Sequence, residues 1–231
     1  MTYTTTEEMK SIMHYFAVSD VNSRATEGQE FSWPLPHGKR PGKWLPPVEG
    51  DRLAYENGYE VYTPLELLHH LGPAIWEVEV RGEVVQAELM TLVREARIVA
   101  PTHWNERTAR LFTCDCATRA LKGERKAGHE PDKRSRDAVK VARRYAEGKA
   151  TEQELIAARD AAWDVFHHSN ANDEVASRCA FDACDVWDAS SAMWHAAEDT
   201  AWADTGVATL EAELRWQVKR LLEYMDGKRG V

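Results

Sequence analysis

Apolar and polar positions follow two different periods along the chain, and the change falls near Glu106. Before that point short stretches alternate with a period of two, as in residues 74–80, which is the pattern of a half-buried strand. After it, apolar residues recur every three to four positions, which predicts helices. In residues 74–80 we expect Trp76, Val78 and Val80 to face inward and Ile75, Glu77 and Glu79 to face outward.

Three other stretches of the first part have strand signals. The aromatic and β-branched run His14–Val18 predicts a strand, and residues 83–88 and 97–100 predict two more. We expect a turn at Arg81-Gly82 before the strand at residues 83–88.

Two further segments of the first part are not strands. Thr63 and Glu66 have the spacing of a capping box, so a short helix is predicted to begin there and to end at Gly72. Residues 28–50 are rich in proline, which fixes φ and removes a backbone donor, so we expect an irregular, extended loop. A loop of this length in a compact domain is often functional.

Six helices are predicted after residue 105, from apolar periodicity, capping boxes and glycine stops. Short connections between them favour an antiparallel bundle. The expected fold class is therefore α+β, with a small mixed domain at residues 1–104 and an antiparallel α-helical bundle of about six helices at residues 105–231. The helices are expected at about 107–122, 133–147, 151–168, 172–188, from there to about 204, and 209–225.

Charge is distributed unevenly around a net value of −9. Residues 150–213 hold 14 acidic and two basic residues, a net charge of −12, whereas residues 122–149 carry +5. Because nucleic-acid binding depends on Lys and Arg neutralising phosphates, we expect no direct nucleic-acid binding. The two segments either neutralise each other or are solvated, or the basic one is a recognition patch. Tryptophans in residues 150–213 are expected to fill the seams between helices.

The chain has no apolar run long enough to span a bilayer, and its first residues lack the order of a secretion signal. We therefore predict a cytoplasmic protein without a membrane partner. In a reducing compartment the four cysteines are expected to be small, buried, apolar residues. On helices their side chains diverge, so we expect no metal and no cofactor. The cysteines are Cys114, Cys116, Cys179 and Cys184.

Three stretches of the first domain resemble uncharacterised proteins of actinobacteria and their phages. Those proteins share a Trp-Pro-Leu-Pro segment, a short helix with two leucines and a glycine, and a strand that begins with tryptophan. Many of them have a cysteine-flanked histidine where this chain has residues 56–62, so metal or thiol chemistry is not implied there. The matching stretches are Trp33–Pro36, Pro41–Trp44 and Leu67–Val80.

The second domain resembles immunity proteins linked to polymorphic toxins. The similarity rests on residues 112–117, 131–138 and 142–148. Together the two resemblances imply an accessory protein of a phage or mobile element that works by binding a host, toxin or defence protein.

The proline- and tryptophan-rich loop holds the strongest candidates for a binding surface. Aromatic and proline side chains lose little entropy on binding, and tryptophan and tyrosine are frequent at hot spots. The alternative is that Trp33 and Trp44 fix the loop onto the sheet. We expect the binding residues to be Trp33, Pro34, Pro36, Trp44, Tyr59, Tyr62 and His70, with no catalytic residue among them.

Our leading hypothesis is a non-enzymatic protein that binds and inhibits or modulates a protein partner. One alternative is an enzyme resembling ADP-ribosyltransferases, in which Glu77 and Glu79 form the Glu-x-Glu pair and His14 holds the nucleotide; otherwise the two glutamates are simply exposed. His69 and His70 are interpreted as partners of a helix dipole rather than as metal ligands. A third hypothesis makes the acidic helices a decoy for a DNA-binding protein.

Overall fold

The computed structural model combines a curled four-stranded antiparallel sheet with five α-helices in the residues that it describes. The predicted α+β class is confirmed. The chain divides into two compact units, unit 1 at residues 1–102 and unit 2 at residues 103–231. None of the described helices has the length and apolar character needed to cross a membrane. The described residues are 14–25, 31–50, 57–126, 128–168, 174–184 and 207–230.

The sheet of unit 1 has the order β1-β3-β4-β2, and all neighbouring strands are antiparallel. The backbones of Phe16 and Tyr62 exchange two hydrogen bonds of 2.8 Å, which brings the first strand to the end of the second and curls the sheet. The strand predicted at His14–Val18 is confirmed with a shift of one residue. The strands are β1 Tyr15–Ser19, β2 Tyr59–Val61, β3 Ala74–Gln86 and β4 Thr91–Pro101.

β3 departs from the sequence expectation in two places. The prediction of a turn at Arg81-Gly82 is wrong, because β3 continues through these residues with a register shift. Gly82 has a φ of +82°, which glycine adopts without strain. The outward position of Ile75 is also wrong, because this side chain is only 2% exposed. Ile75 pairs with Val18, and Gly72 lies directly against Val18, so this end of the sheet is covered on both faces.

The helix predicted after Thr63 is a 3-10 helix, Glu66–His69. Its capping box is confirmed: the Thr63 amide donates to the Glu66 carboxylate at 2.7 Å, and the Glu66 amide donates to the Thr63 hydroxyl at 3.4 Å. Leu67 and Leu68 are buried, so the short helix is fixed by packing as well as by its cap.

The proline-rich segment, residues 31–50, has no regular strand, as expected, yet it is hydrogen-bonded to β4. β2 pairs with only the first three residues of β4, and this segment lies along the remainder of the same edge. Gly42 is required there, because a Cβ atom would lie 1.9 Å from the Pro34 carbonyl oxygen. The amides of Gly42, Leu45 and Val48 donate to the carbonyls of Ile98, Ala96 and Arg94 at 2.8, 2.9 and 3.0 Å.

Unit 2 is helical, and α1, which has ten buried residues, contacts α2, α4 and α5. The capping box of Thr151 and Glu154 is confirmed, and Asp132 caps α2 through the Arg134 amide. Five helices are described where about six were expected; the helix expected to end near residue 204 lies outside the described residues. The helices are α1 Glu106–Lys126, α2 Lys133–Ala146, α3 Glu152–His168, α4 Glu174–Asp182 and α5 Val207–Met225.

Candidate protein-binding surfaces

Trp33 and Tyr62, two of the expected binding residues, lie in the interior of unit 1. Their exposed fractions are 3% and 2%. Trp33 packs in a core cluster with Leu45 and Ile98, so the expectation that it projects from an exposed loop is wrong. The physical reason is the hydrogen bonding of the loop to β4, which turns Trp33 and Leu45 toward the sheet.

Trp44 lies half-buried at the surface of unit 1, where two guanidinium groups cover its indole ring. Arg81 lies 4.1 Å and Arg97 4.7 Å from the ring centroid. Each arginine is held by a carboxylate on the neighbouring strand, Arg81 by Glu95 at 2.6 Å and Arg97 by Glu79 at 2.5 Å. We call these five residues the Trp44 ladder. These guanidinium groups lie over the indole ring and hold the proline-rich segment against β3 and β4. They therefore leave little indole surface for a partner.

The transferase hypothesis depends on Glu77, Glu79 and His14. Glu77 and His14 are exposed, and Glu79 is engaged with Arg97 in the Trp44 ladder. These positions agree with the interpretation of two carboxylates on the outer face of a strand.

Tyr59, Pro34 and Pro36 are half-buried. The Tyr59 hydroxyl donates to the Pro46 carbonyl at 2.9 Å, and the ring of Phe31 lies edge-on to it at 5.2 Å. Burial, followed by the charge of Glu95, raises the pKa of Tyr59. Tyr59 therefore links the proline-rich segment to β2.

Tyr62 and His70 are brought together, with ring centroids 4.5 Å apart in a stacked arrangement. The Tyr62 hydroxyl donates to Glu60 at 3.0 Å. Glu60 and Glu66 are both buried carboxylates that the sequence did not single out as site residues, and Glu66 also accepts from Thr91 at 3.2 Å. Groups of three or more metal-ligating side chains are absent from the described part of the chain.

Unit 2 contains a partly buried polar cluster that sequence reasoning missed. Asp115 on α1, with a side chain 13% exposed, accepts from Arg143 at 2.8 Å, from Arg220 at 2.5 Å and from the Tyr224 hydroxyl at 3.0 Å. Burial, then the charge of Asp115, raises the pKa of Tyr224. The Asp115 cluster therefore ties α1 to α2 and α5.

The four cysteines are buried, as expected. Burial raises the pKa of the Cys114 thiol to about 12 and that of Cys116 well above its ordinary value. Thiols that stay protonated are poor nucleophiles and poor metal ligands.

The basic segment, residues 122–149, is neutralised mainly by carboxylates close to it in sequence. Lys133 and Lys140 both bind Asp137 and lower its pKa to about 2. Among the described ion pairs made by the basic segment, only that of Arg144 reaches the acidic segment, through Glu154 at 3.7 Å. Much of that acidic segment, including residues 185–206, lies outside the described residues, so the decoy hypothesis stays a prediction.

Trp163 on α3 is the exception among the described tryptophans, since 42% of it is exposed. Trp163 therefore fills the seam between α3 and α4 only in part. Its ring centroid lies 3.9 Å from that of His167 and 4.8 Å from that of Phe181 on α4. Asp160 and Asp164 are also exposed on α3. We call Asp160, Trp163, Asp164, His167 and Phe181 the Trp163 patch. Trp187, Trp194 and Trp202 lie outside the described residues.

No protein-family model, no curated protein and no solved structure matches the chain. The resemblances to actinobacterial phage proteins and to immunity proteins therefore stay expectations.

Proposed function

We propose that this chain binds a protein partner and inhibits or modulates it without catalysis. The observation that carries the proposal is the 42% exposure of Trp163 within a cluster of aromatic rings. Tryptophan is enriched among the residues that dominate the binding energy of protein interfaces. The partner would be a host, toxin or defence protein, met in the cytoplasm.

The side-chain chemistry of both units supports a binding role over a catalytic one. Glu79, one of the groups considered for catalysis, is engaged with Arg97, and the buried Glu60 accepts a hydrogen bond from Tyr62. Burial keeps the Cys114 thiol protonated at neutral pH, since its pKa is about 12. Each of these groups would have to leave its partner before it could act on a substrate.

The Trp163 patch supports binding better than the residues first expected from the sequence. Trp33 is buried, and the ring of Trp44 is covered by Arg81 and Arg97. Trp163 combines large apolar area with low conformational freedom, because α3 and the ring of Phe181 hold it in place.

The test is affinity capture from an actinobacterial lysate with the tagged full chain, followed by titration of the captured protein after its purification. Trp163→Ala should weaken that complex about tenfold or more, whereas Trp44→Ala, the matched control in unit 1, should change it less than about threefold. The captured protein's own activity should fall when the wild-type chain is added.

Two results would count against the proposal. One is that no protein is retained above the level of an unrelated tagged protein. The other is that Trp163→Ala binds the captured protein as tightly as the wild-type chain does, which would move the interface away from the Trp163 patch.

A further inference from the structure

Two of the three half-buried tryptophans in the described residues, Trp44 and Trp216 but not Trp76, have arginine guanidinium groups over the ring. Arg81 and Arg97 lie over Trp44, and two arginines of unit 2 lie over Trp216 in the same way. Those two are Arg119 and Arg220, at 4.6 and 5.1 Å from the Trp216 ring centroid. Trp163 is more exposed than either ring, and among the cation–ring contacts of the described residues none is to Trp163, although Arg178 lies 5.8 Å from the centroid of the neighbouring Phe166 ring.

Two exposed carboxylates of α3 lie within one helical turn of Trp163 in the sequence. Asp160, one turn before Trp163, has a side chain 65% exposed and is paired with its chain neighbour Arg159 at 3.1 Å. Asp164 follows Trp163 directly and is exposed. Asp164 helps to raise the pKa of Arg134, but that guanidinium is bound by Asp132 through two bonds of 3.1 Å.

The charge of α3 points in the same direction. The helix has four acidic residues and one arginine before its terminal histidines. A cation that approaches Trp163 would therefore meet a negative helix face as well as the negative face of the indole ring.

We propose that the Trp163 patch receives an arginine side chain from the protein partner, so that the partner presents a basic segment. The guanidinium lies over the indole ring, and its N–H groups donate to Asp160 and Asp164. Arginine fits better than lysine, because a planar guanidinium stacks on the ring while its edge still donates hydrogen bonds. The inference rests on the proposed function and adds the chemistry of the partner.

The test uses a fluorescein-labelled peptide of six arginines spaced by glycines, titrated with the full-length protein and followed by fluorescence anisotropy. Trp163→Leu should weaken binding about fivefold, whereas Trp163→Phe, which keeps an aromatic face, should stay within about twofold of the wild-type chain. If the Trp163→Leu variant binds the peptide as tightly as the Trp163→Phe variant does, the ring does not receive the cation and the proposal fails.

A charge-matched pair of variants separates this site from general attraction to a chain of net charge −9. Asp160→Asn with Asp164→Asn should weaken peptide binding at least about threefold more than Glu77→Gln with Glu88→Gln, which removes two exposed carboxylates of unit 1. Equal weakening by the two pairs would overturn the proposal. Circular dichroism on the same samples shows whether each variant is folded.

Competition distinguishes failure of this inference from failure of the proposed function. The arginine peptide should displace the captured protein from the wild-type chain. If the captured protein depends on Trp163 yet is not displaced, the binding function stands and the arginine contact is wrong. If the peptide binds as expected and no protein is captured, the site stands and the proposed function is wrong.

Discussion

Two tryptophans at the surface, one in each unit, differ in what the chain itself places on them. The indole ring of Trp44 is covered by Arg81 and Arg97, and both arginines are held in turn by carboxylates of the neighbouring strands. Trp163 contacts the rings of Phe166, His167 and Phe181, and 42% of it is exposed. The indole ring is therefore covered by the chain's own side chains in unit 1, whereas in unit 2 part of it is accessible to a partner.

The difference shows that residue type alone is a poor guide to a binding surface. An aromatic residue contributes to association only if its area is free before the partner arrives. Proline and tryptophan in residues 31–50 suggested an interface. In the structure, however, the ring of Trp33 packs in the core and the ring of Trp44 is covered by arginines of the same chain. The following variants test whether unit 1 uses its tryptophans for stability and unit 2 uses Trp163 for binding.

Trp33→Ala should have the largest effect. Removal of this buried ring leaves a cavity beside Leu45 and Ile98, so the free energy of unfolding should fall by about 3–5 kcal/mol. Urea denaturation followed by circular dichroism measures the loss. Trp33→Phe should cost less, because the indole N–H has no hydrogen-bond partner among the described residues and phenylalanine fills part of the space. A loss below about 1 kcal/mol for the alanine variant would mean that Trp33 is not structural.

Asp115→Ala should come next and should destabilise unit 2. It leaves Arg143, Arg220 and Tyr224 without their shared acceptor, which should cost about 2–3 kcal/mol of unfolding free energy in the same assay. The control Asp226→Asn removes an exposed carboxylate paired with Lys228, and should change stability by less than about 0.5 kcal/mol. If both variants behave alike, the Asp115 cluster does not hold α1 to α2 and α5.

High pH should weaken unit 2 through its buried thiols. The pKa of Cys114 is raised to about 12 from an unfolded value of 9.0, so the folded state keeps a proton that the unfolded state loses. The contribution of this thiol to the free energy of unfolding is fully present below pH 9.0. It falls by about 1.4 kcal/mol per pH unit as the pH rises toward 12. Urea denaturation between pH 8 and 10.5 should show a shallower decline for Cys114→Ala than for the wild-type chain. Parallel declines would contradict the prediction.

Trp44→Ala and Trp163→Ala should have the smallest effects on stability, in that order. Loss of Trp44 removes the ring that Arg81 and Arg97 share, at a cost of about 1 kcal/mol. Loss of Trp163 from an exposed position should cost less than about 0.5 kcal/mol. Thermal unfolding of both variants provides the comparison. A reversal of the order would show that Trp163 is the structural residue and Trp44 the free one.

Features that depend on neighbouring residues in the chain were predictable. Both capping boxes, at Thr63 and Thr151, depend on a spacing of three residues, and the helix starts follow from them. The inward face of β3 at Val78 and Val80 likewise follows from strict alternation. The α+β class is the sum of such local signals.

Features that depend on distant residues were not predictable. Asp115 accepts hydrogen bonds from Arg220 and Tyr224, which lie more than 100 residues away in the sequence, and no periodicity connects these positions. The burial of Trp33 and the exposure of Trp163 are set by which element packs on each ring. Composition marks a tryptophan as a candidate for either role and cannot choose between them.

The hydrogen bonds from the proline-rich segment to β4 also protect unit 1 from self-association. A bare strand edge is a template on which another chain can add a strand and begin to aggregate. On this edge β2 and the amides of Gly42, Leu45 and Val48 occupy the carbonyls of β4. Pro41, Pro46 and Pro47 then follow the same line without any N–H to offer. A partner therefore cannot add a strand directly to this edge of β4, because the proline-rich segment already lies on it.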